Sequence, residues 1–399
     1  MSAVDTSGRV EPGFEPVRDA FEANFAERGD VGAAFCLYKD GRPVVDLVGG
    51  TVDAEGTRYG PDTLQLVFST TKGATAICAH LLAERGDLDL DAPVAEYWPE
   101  FAAGGKGRVP VRWLLSHRAG LPTIDARLTL DQVCEVGPVV EALAAQQPFW
   151  EPGTDHGYHA LTYGWLVGEV VRRVTGRSVG SFLADEIAKP LGIDFFIGLP
   201  ESEEPRVAPL LPMRIVIPPD AETIERMAAN FSPDGLMQRA LSLNGALGFG
   251  EISLDQSTDP FNGDSPFNRR QVHATEMPAA NGITSAASLA RLYAATFGEV
   301  DGVRLLSDRT MNDARRPQSE GPDRVLVTET RLASGFFLDC IQCPMLGPDS
   351  YGHAGMGGSL GFADPEAGIA FGYVMNQLTL GLGGDPRAVA LIDAVRSCL

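Results

Sequence analysis

Hydrophobic positions along the chain fall into blocks of different period. Between Gly32 and Gly50, the apolar run Ala33-Ala34-Phe35-Cys36-Leu37-Tyr38 precedes Lys39-Asp40-Gly41, and Pro43-Val44-Val45-Asp46-Leu47-Val48 follows. Two such runs around a polar, glycine-containing break predict a β-hairpin. From Thr70 to Arg85 the pattern is helical and stops at Gly86, a residue suited to a left-handed helix end. Val111 to Ala119 predicts a second helix, closed by Gly120 with Pro122 just beyond. Leu161 to Val174 predicts a third, with Leu161, Trp165, Val167 or Gly168, and Val171 forming an apolar stripe.

Strand character returns in Gly335-Phe336-Phe337-Leu338, Gly352 to Gly358, Leu360 to Asp364 and Ile369 to Met375, before a closing helix from Pro386 to Ser397. From Pro200 to about Phe267, Pro, Gly, Asn and Asp are frequent and periodicity is weak, which predicts substrate-facing loops. Strands at both ends with helices between them predict an α/β (α+β) fold. An antiparallel sheet flanked by helices would be built from both termini around an inserted, mostly helical lobe. Residues 1–110 and 275–399 are expected to form the sheet domain, and 111–274 the helical one.

Composition narrows the function classes. Apolar residues make up 44% of 399 positions, enough for a sizeable core, and the net charge is −21. Such a charge opposes binding to a phosphate backbone or an anionic membrane surface, and its plain role is solubility. The polar stretch from Met1 to Arg18 has no apolar run resembling a signal peptide, and no stretch approaches the roughly 18 apolar residues of a membrane span. A cytoplasmic protein without nucleic-acid or membrane partners is expected; oligomeric state stays open. Cys340-Ile341-Gln342-Cys343 is a CxxC without a second pair or neighbouring histidines, and structural zinc wants four ligands. With no HExxH either, neither metal nor cofactor is expected.

The sharpest chemical signal is Phe68-Ser69-Thr70-Thr71-Lys72-Gly73, an S-x-x-K opening a helix. Residues three apart share a helix face, so the lysine nitrogen can reach the serine hydroxyl. The helix dipole favours negative charge developing at its N-terminus. A serine hydroxyl attacks well only when a base takes its proton, and a desolvated lysine can do that. Alone the motif also fits a capping serine followed by a surface lysine.

Its context is more specific. Val109-Pro110-Val111-Arg112-Trp113-Leu114-Leu115-Ser116-His117-Arg118-Ala119-Gly120-Leu121-Pro122 comes next, then Pro152-Gly153, Tyr158 and Gly164-Trp165-Leu166, and finally Gly352-His353-Ala354-Gly355-Met356-Gly357-Gly358-Ser359. In this order the chain, from about Gly32 to its end, resembles the serine β-lactamase and penicillin-binding-protein superfamily. Within it the chain looks most like the family VIII carboxylesterases. The resemblance implies a β-lactamase/transpeptidase-like fold with the site between the two lobes. It implies Ser69 as acylated nucleophile, Lys72 as its partner and Tyr158 as general base. The N–H groups of Ser69 and Met356 would form the oxyanion hole, with His353, Gly355 and Gly357 on the substrate-binding strand. A phenol with an ordinary pKa near 10 is a poor base. An ammonium at Lys72 is therefore expected to favour the phenolate, and a shift of two units asks for about 3 kcal/mol.

Two positions depart from the lactamase pattern: Ala160 stands for the Asn of Tyr-x-Asn, and His353 for the Lys of Lys-Thr-Gly. A mostly neutral histidine is a weaker anchor for a substrate carboxylate, which favours neutral esters or amides. The expected activity is hydrolysis of small carboxylic esters through an acyl-enzyme. Transfer of the acyl group to an alcohol or amine, and β-lactamase or D-peptidase activity, are the alternatives. A silent binding protein would have lost Ser69, Lys72 or Tyr158. Gly357-Gly358-Ser359-Leu360-Gly361 also matches G-x-S-x-G, but no histidine follows it, so Ser359 is expected to be structural. His80 and His117 are expected to be packed. His159 carries no assigned role, and packing or solvent contact is its expected fate.

Overall fold

A computed structural model describes residues 4–215, 232, 235–248, 252–253, 265–380 and 384–399. Nine strands form its main sheet: β1 (Thr6–Val10), β2 (Gly32–Lys39), β3 (Arg42–Gly50), β4 (Ser319–Pro322), β5 (Glu329–Leu332), β6 (Phe337–Leu338), β7 (Tyr351–Ala354), β8 (Leu360–Asp364) and β9 (Ile369–Met375). Their spatial order is β1-β3-β2-β9-β8-β7-β6-β5-β4, antiparallel throughout, so the two ends of the chain join at the β2–β9 pair. All of β9, and all of β2 except Lys39, are buried. A strand covered on both faces has no polar side to alternate with, which is why Ala33 to Tyr38 reads as an unbroken apolar run.

Five helices frame the site: α1 (Glu15–Glu27), α2 (Thr71–Arg85), α3 (Thr162–Thr175), α4 (Ala286–Phe297) and α5 (Pro386–Ser397). Helices α1 and α5 pack on each other, α4 lies against β2, β8 and β9, and α2 packs on α3. Every residue of α2 from Thr71 to Leu82 is buried. Each polar side chain buried in such a helix, Thr71, Thr75 and His80 included, needs a partner, and a lysine in its first turn calls for a reason.

Three expected elements are shorter than predicted. The helix from Val111 ends at Leu115, because Ser116 donates its hydroxyl to Arg112 O (2.8 Å) and His117 turns to a left-handed φ of 60°. Strand β7 stops at Ala354, where Gly358 N–H bonds Gly355 O and the chain turns. Only Phe337–Leu338 of the 335–338 segment is extended in the sheet. In the 200–267 stretch, Val207–Ala208, Leu211–Ile215 and Leu236–Ser242 are regular. Residues 216–231, 233–234, 249–251 and 254–264 lie outside the described residues, and with them much of the stretch expected to face substrate. Among the described residues, no helix is long and apolar enough to cross a membrane.

Candidate active site

The chain enters α2 through a constrained elbow. Phe68, immediately before Ser69, has φ 44°, an unfavourable region for an aromatic residue. Surrounding contacts hold it there. Val67 N–H bonds Gly282 O (2.9 Å), and the Phe68 ring packs edge-on against Phe267 at 4.8 Å. Thr71 Oγ1 donates to Phe68 O (2.5 Å) and accepts from Gly282 N–H (2.8 Å).

Ser359 belongs to the same brace. Its hydroxyl donates to Val67 O (2.9 Å) and sits 3.1 Å from Thr70 Oγ1, fully buried. Gly355 lets the end of β7 approach: a Cβ there would fall 2.2 Å from both Ser359 Oγ and Val67 O. The G-x-S-x-G serine is therefore a tie between β8 and the elbow.

One turn into α2, Lys72 Nζ lies 3.0 Å from Ser69 Oγ, 2.7 Å from Ala160 O and 3.0 Å from Ala279 O. It is completely buried, and no carboxylate among the described residues pairs with it. Burial alone drives its pKa well below the usual lysine value. A neutral amine has two N–H donors and one lone pair. As placed, Nζ donates to two carbonyls and to the Ser69 hydroxyl; a neutral amine would keep two of these donations and one lone pair.

Tyr158 reaches the same hydroxyl, and its ring lies 4.8 Å from Lys72 Nζ. Burial pushes the phenol above its usual pKa, its hydrogen bond with Ser69 opposes that, and Cys343 and Asp323 add to the rise. The expected phenolate, drawn out by an ammonium at Lys72, is thus corrected: exclusion of water favours the neutral form of both partners. Tyr163 closes the wall, its ring 5.8 Å from Lys72 Nζ and its hydroxyl donating to Lys72 O (3.4 Å).

Three histidines surround Tyr158, all buried. His353 on β7 donates Nδ1–H to Ala354 O (2.7 Å), leaving Nε2 a buried lone pair with no partner among the described residues. Its pKa is pushed down to about 3, chiefly by burial. His353 therefore supplies no cation. His159 is packed: Nδ1–H donates to Gly157 O (2.6 Å) and Nε2 accepts from Leu121 N–H (2.9 Å). Burial pushes it down to about 4. His117 accepts from His159 N–H (3.0 Å) and packs its ring on Tyr158 at 4.9 Å. His80 is held by Ser334 O (2.7 Å) away from the site.

Behind β7 the chain folds through Gly355-Met356-Gly357-Gly358. Gly357, at φ 85°, has no room for a side chain against Leu378, and its carbonyl accepts from Arg387 Nη2 (2.7 Å). Neither Ser69 N–H nor Met356 N–H is bonded to another group among the described residues. Cys340 and Cys343 are free thiols paired across a two-residue turn. Among the described residues no cluster could hold a metal ion.

Sequence reasoning missed two kinds of participant. The carbonyls of Ala160 and Ala279 leave no trace in residue identity. Asp323, whose Oδ1 accepts Tyr158 N–H (3.0 Å), is signalled only by a turn-forming Pro322-Asp323 pair.

Known proteins resemble this chain in sequence and in fold. A family model described as Beta-lactamase matches residues 17–395. The curated "Esterase/beta-lactamase LipL" of Mycobacterium tuberculosis is 37% identical over 375 residues, covering 93% of this chain and 83% of that protein. Among solved structures, a family VIII carboxylesterase is 38% identical with a TM-score of 0.84, covering 99% of this chain and 100% of the other. A penicillin-binding protein homologue from Caulobacter crescentus is 37% identical with a TM-score of 0.81, at 99% and 100% coverage.

Proposed function

The chain belongs to the beta-lactamase family, and from that premise we propose that it is a serine carboxylesterase of the β-lactamase type, acting on small neutral esters through an acyl-enzyme at Ser69. The observation that carries this reading is the Lys72 amine 3.0 Å from Ser69 Oγ, with its two N–H groups directed to carbonyls. A buried amine so arranged has a free lone pair for one purpose, removal of the serine proton.

In the proposed reaction, Ser69 Oγ attacks the ester carbonyl as its proton passes to Lys72 Nζ. The N–H groups of Ser69 and Met356 receive the developing oxyanion. The alcohol leaves with the Tyr158 phenolic proton, and the new Lys72 ammonium, beside the Tyr158 ring, gives its extra proton to the phenolate, so that amine and phenol are neutral again. Water then repeats the sequence, its proton going to the base and its oxygen to the acyl carbon, and Ser69 is released. Residues 1–110 with 275–399 would form one lobe and 111–274 the other, with this chemistry between them. Neutral His353 supports the preference for uncharged esters, since a substrate carboxylate would meet no fixed cation there. The relatives named as esterases support it as well.

The test is release of nitrophenol from short-chain nitrophenyl esters, with a fluorophosphonate adduct mapped by mass spectrometry. Wild-type turnover and an adduct on Ser69 are expected. A Ser69→Ala enzyme that keeps turnover would overturn the reading. Product analysis with added alcohols, and a nitrocefin assay, separate hydrolysis from acyl transfer and from lactam cleavage.

A further inference from the structure

The phenol at Ser69 is only as well placed as the main chain that carries it, and that chain has no regular secondary structure. Tyr158 lies in the irregular stretch before α3. One side of this stretch is tied to the 117–121 segment: Gly157 N–H bonds His117 O (3.1 Å), and His159 N–H bonds His117 Nδ1. The other side is tied to the loop between β4 and β5. There, Arg324 N–H bonds His156 O (3.2 Å), and His156 Nε2 meets Thr330 Oγ1 (3.0 Å). The tie at Tyr158 itself comes from a side chain. Asp323 is almost wholly buried, and its Oδ1 accepts three N–H groups: Tyr158 (3.0 Å), Val325 (2.8 Å) and Leu326 (2.8 Å). Its Oδ2 is buried and has no partner among the described residues.

We propose that Asp323 is a positioning residue for Tyr158, its buried carboxylate fixing the main chain from which the phenol reaches Ser69. This rests on the role given to Tyr158 above. Val325 and Leu326 N–H satisfaction would be met by any turn-capping acceptor. The third bond, made across the chain to Tyr158, goes beyond what a turn requires. A buried carboxylate with one oxygen unpaired is costly to keep. The compensation is a phenol whose Cα is pinned from both sides. Small misplacement of a catalytic group costs large factors in rate. The same charge opposes ionisation of the phenol, which suits a group that must hand a proton to a departing alcohol. The other titratable groups facing Tyr158 are Lys72, His117, His353, Tyr163 and Cys343.

The experiment compares Asp323→Ala, Asp323→Asn and Tyr158→Phe in nitrophenyl ester hydrolysis across pH, with thermal melts of each. Asp323→Ala is expected to lower kcat by about 10- to 100-fold with little change in KM. Asp323→Asn keeps an oxygen acceptor and is expected to restore most of kcat at neutral pH. If Asp323→Ala does not fold, Asp323→Leu, which fills the space without an acceptor, takes its place, and wild-type kcat in that variant overturns the proposal. Wild-type kcat in Asp323→Ala, beside an inactive Tyr158→Phe, sinks the positioning role only. An active Tyr158→Phe sinks the role of Tyr158 and this proposal together.

Discussion

Lys72 Nζ stands 3.0 Å from Ser69 Oγ in a fully buried position, with no carboxylate among the described residues paired to it. A lysine buried in the first turn of α2 costs the fold desolvation energy and returns no ion pair among the described residues. Lys72→Met, close in length and apolar, relieves that cost but leaves Ala160 O and Ala279 O without their N–H donor, about 1–3 kcal/mol for each buried acceptor. The expected result is a fall in kcat/KM of about 100-fold or more, in the range of a missing general base, in an enzyme that still folds with a lowered melting temperature. Turnover kept in the folded variant would mean the amine is structural.

Ser359 offers the opposite test. Its hydroxyl braces the elbow by donating to Val67 O and meeting Thr70 Oγ1. Ser359→Ala should leave Val67 O one buried hydrogen bond short, costing about 1–3 kcal/mol in a denaturant titration. Ester turnover should be largely kept, and the phosphonate should still label Ser69. Loss of labelling together with a native-like melt would return the G-x-S-x-G serine to candidacy as nucleophile.

The buried histidines predict acid lability. His353 and His159 have folded pKa values near 3 and 4, and burial also holds His117 well below its usual value. The unfolded chain takes up protons at these sites near pH 6.5, and the folded chain does so only far lower. Folding stability is thus complete above about pH 6.5 and falls as pH drops, because the unfolded state binds more protons. Each such group contributes a slope of up to about 1.4 kcal/mol per pH unit. Urea midpoints should fall steeply from pH 7 to 4.5, and His159→Gln should flatten the slope. A flat profile over that range would contradict the burial of these rings in their neutral form.

How much of this was legible in sequence depends on what residue identity can encode. The β2–β3 hairpin, α2 with its end at Gly86, β8, β9 and α5 follow the hydrophobic pattern closely, because their periods reflect which faces are covered. The helix from Val111 was overextended because His117 adopts a left-handed conformation that glycine usually signals. Ser69, Lys72 and Tyr158 were readable from motif order, and the structure gathers them around one hydroxyl. Their charge states were not readable: the expected phenolate assumed an ammonium in a partly desolvated pocket, and complete burial favours the neutral amine instead. The carbonyls of Ala160 and Ala279 are main-chain atoms, visible only once the fold brings residues 72, 160 and 279 together.

The last prediction concerns the loop behind β7, which a residue far along the chain holds in place. Arg387, at the start of α5, is wholly buried between Asp30 (2.9 Å) and Asp385 (2.8 Å), and its Nη2 donates to Gly357 O (2.7 Å). Asp30 also accepts from Tyr373 OH at 2.9 and 2.7 Å. Removing the guanidinium leaves two carboxylates facing each other in the interior and leaves Gly357 O, next to Met356, to Thr379 alone. Breaking one partner out of a buried ion cluster costs about 3–5 kcal/mol, so Arg387→Met should lower the denaturation midpoint strongly. If the cluster is the cause, adding Asp30→Asn to Arg387→Met should recover part of that loss, because one stranded charge is gone. The Gly357 carbonyl keeps its bond from Thr379 N–H (3.1 Å) but lacks the Arg387 guanidinium in both variants. Turnover should therefore stay low in the double variant even where stability returns, with kcat reduced more than KM is raised. Equal recovery of stability and kcat would show that Arg387 serves the fold alone and that the loop carrying Met356 does not depend on it.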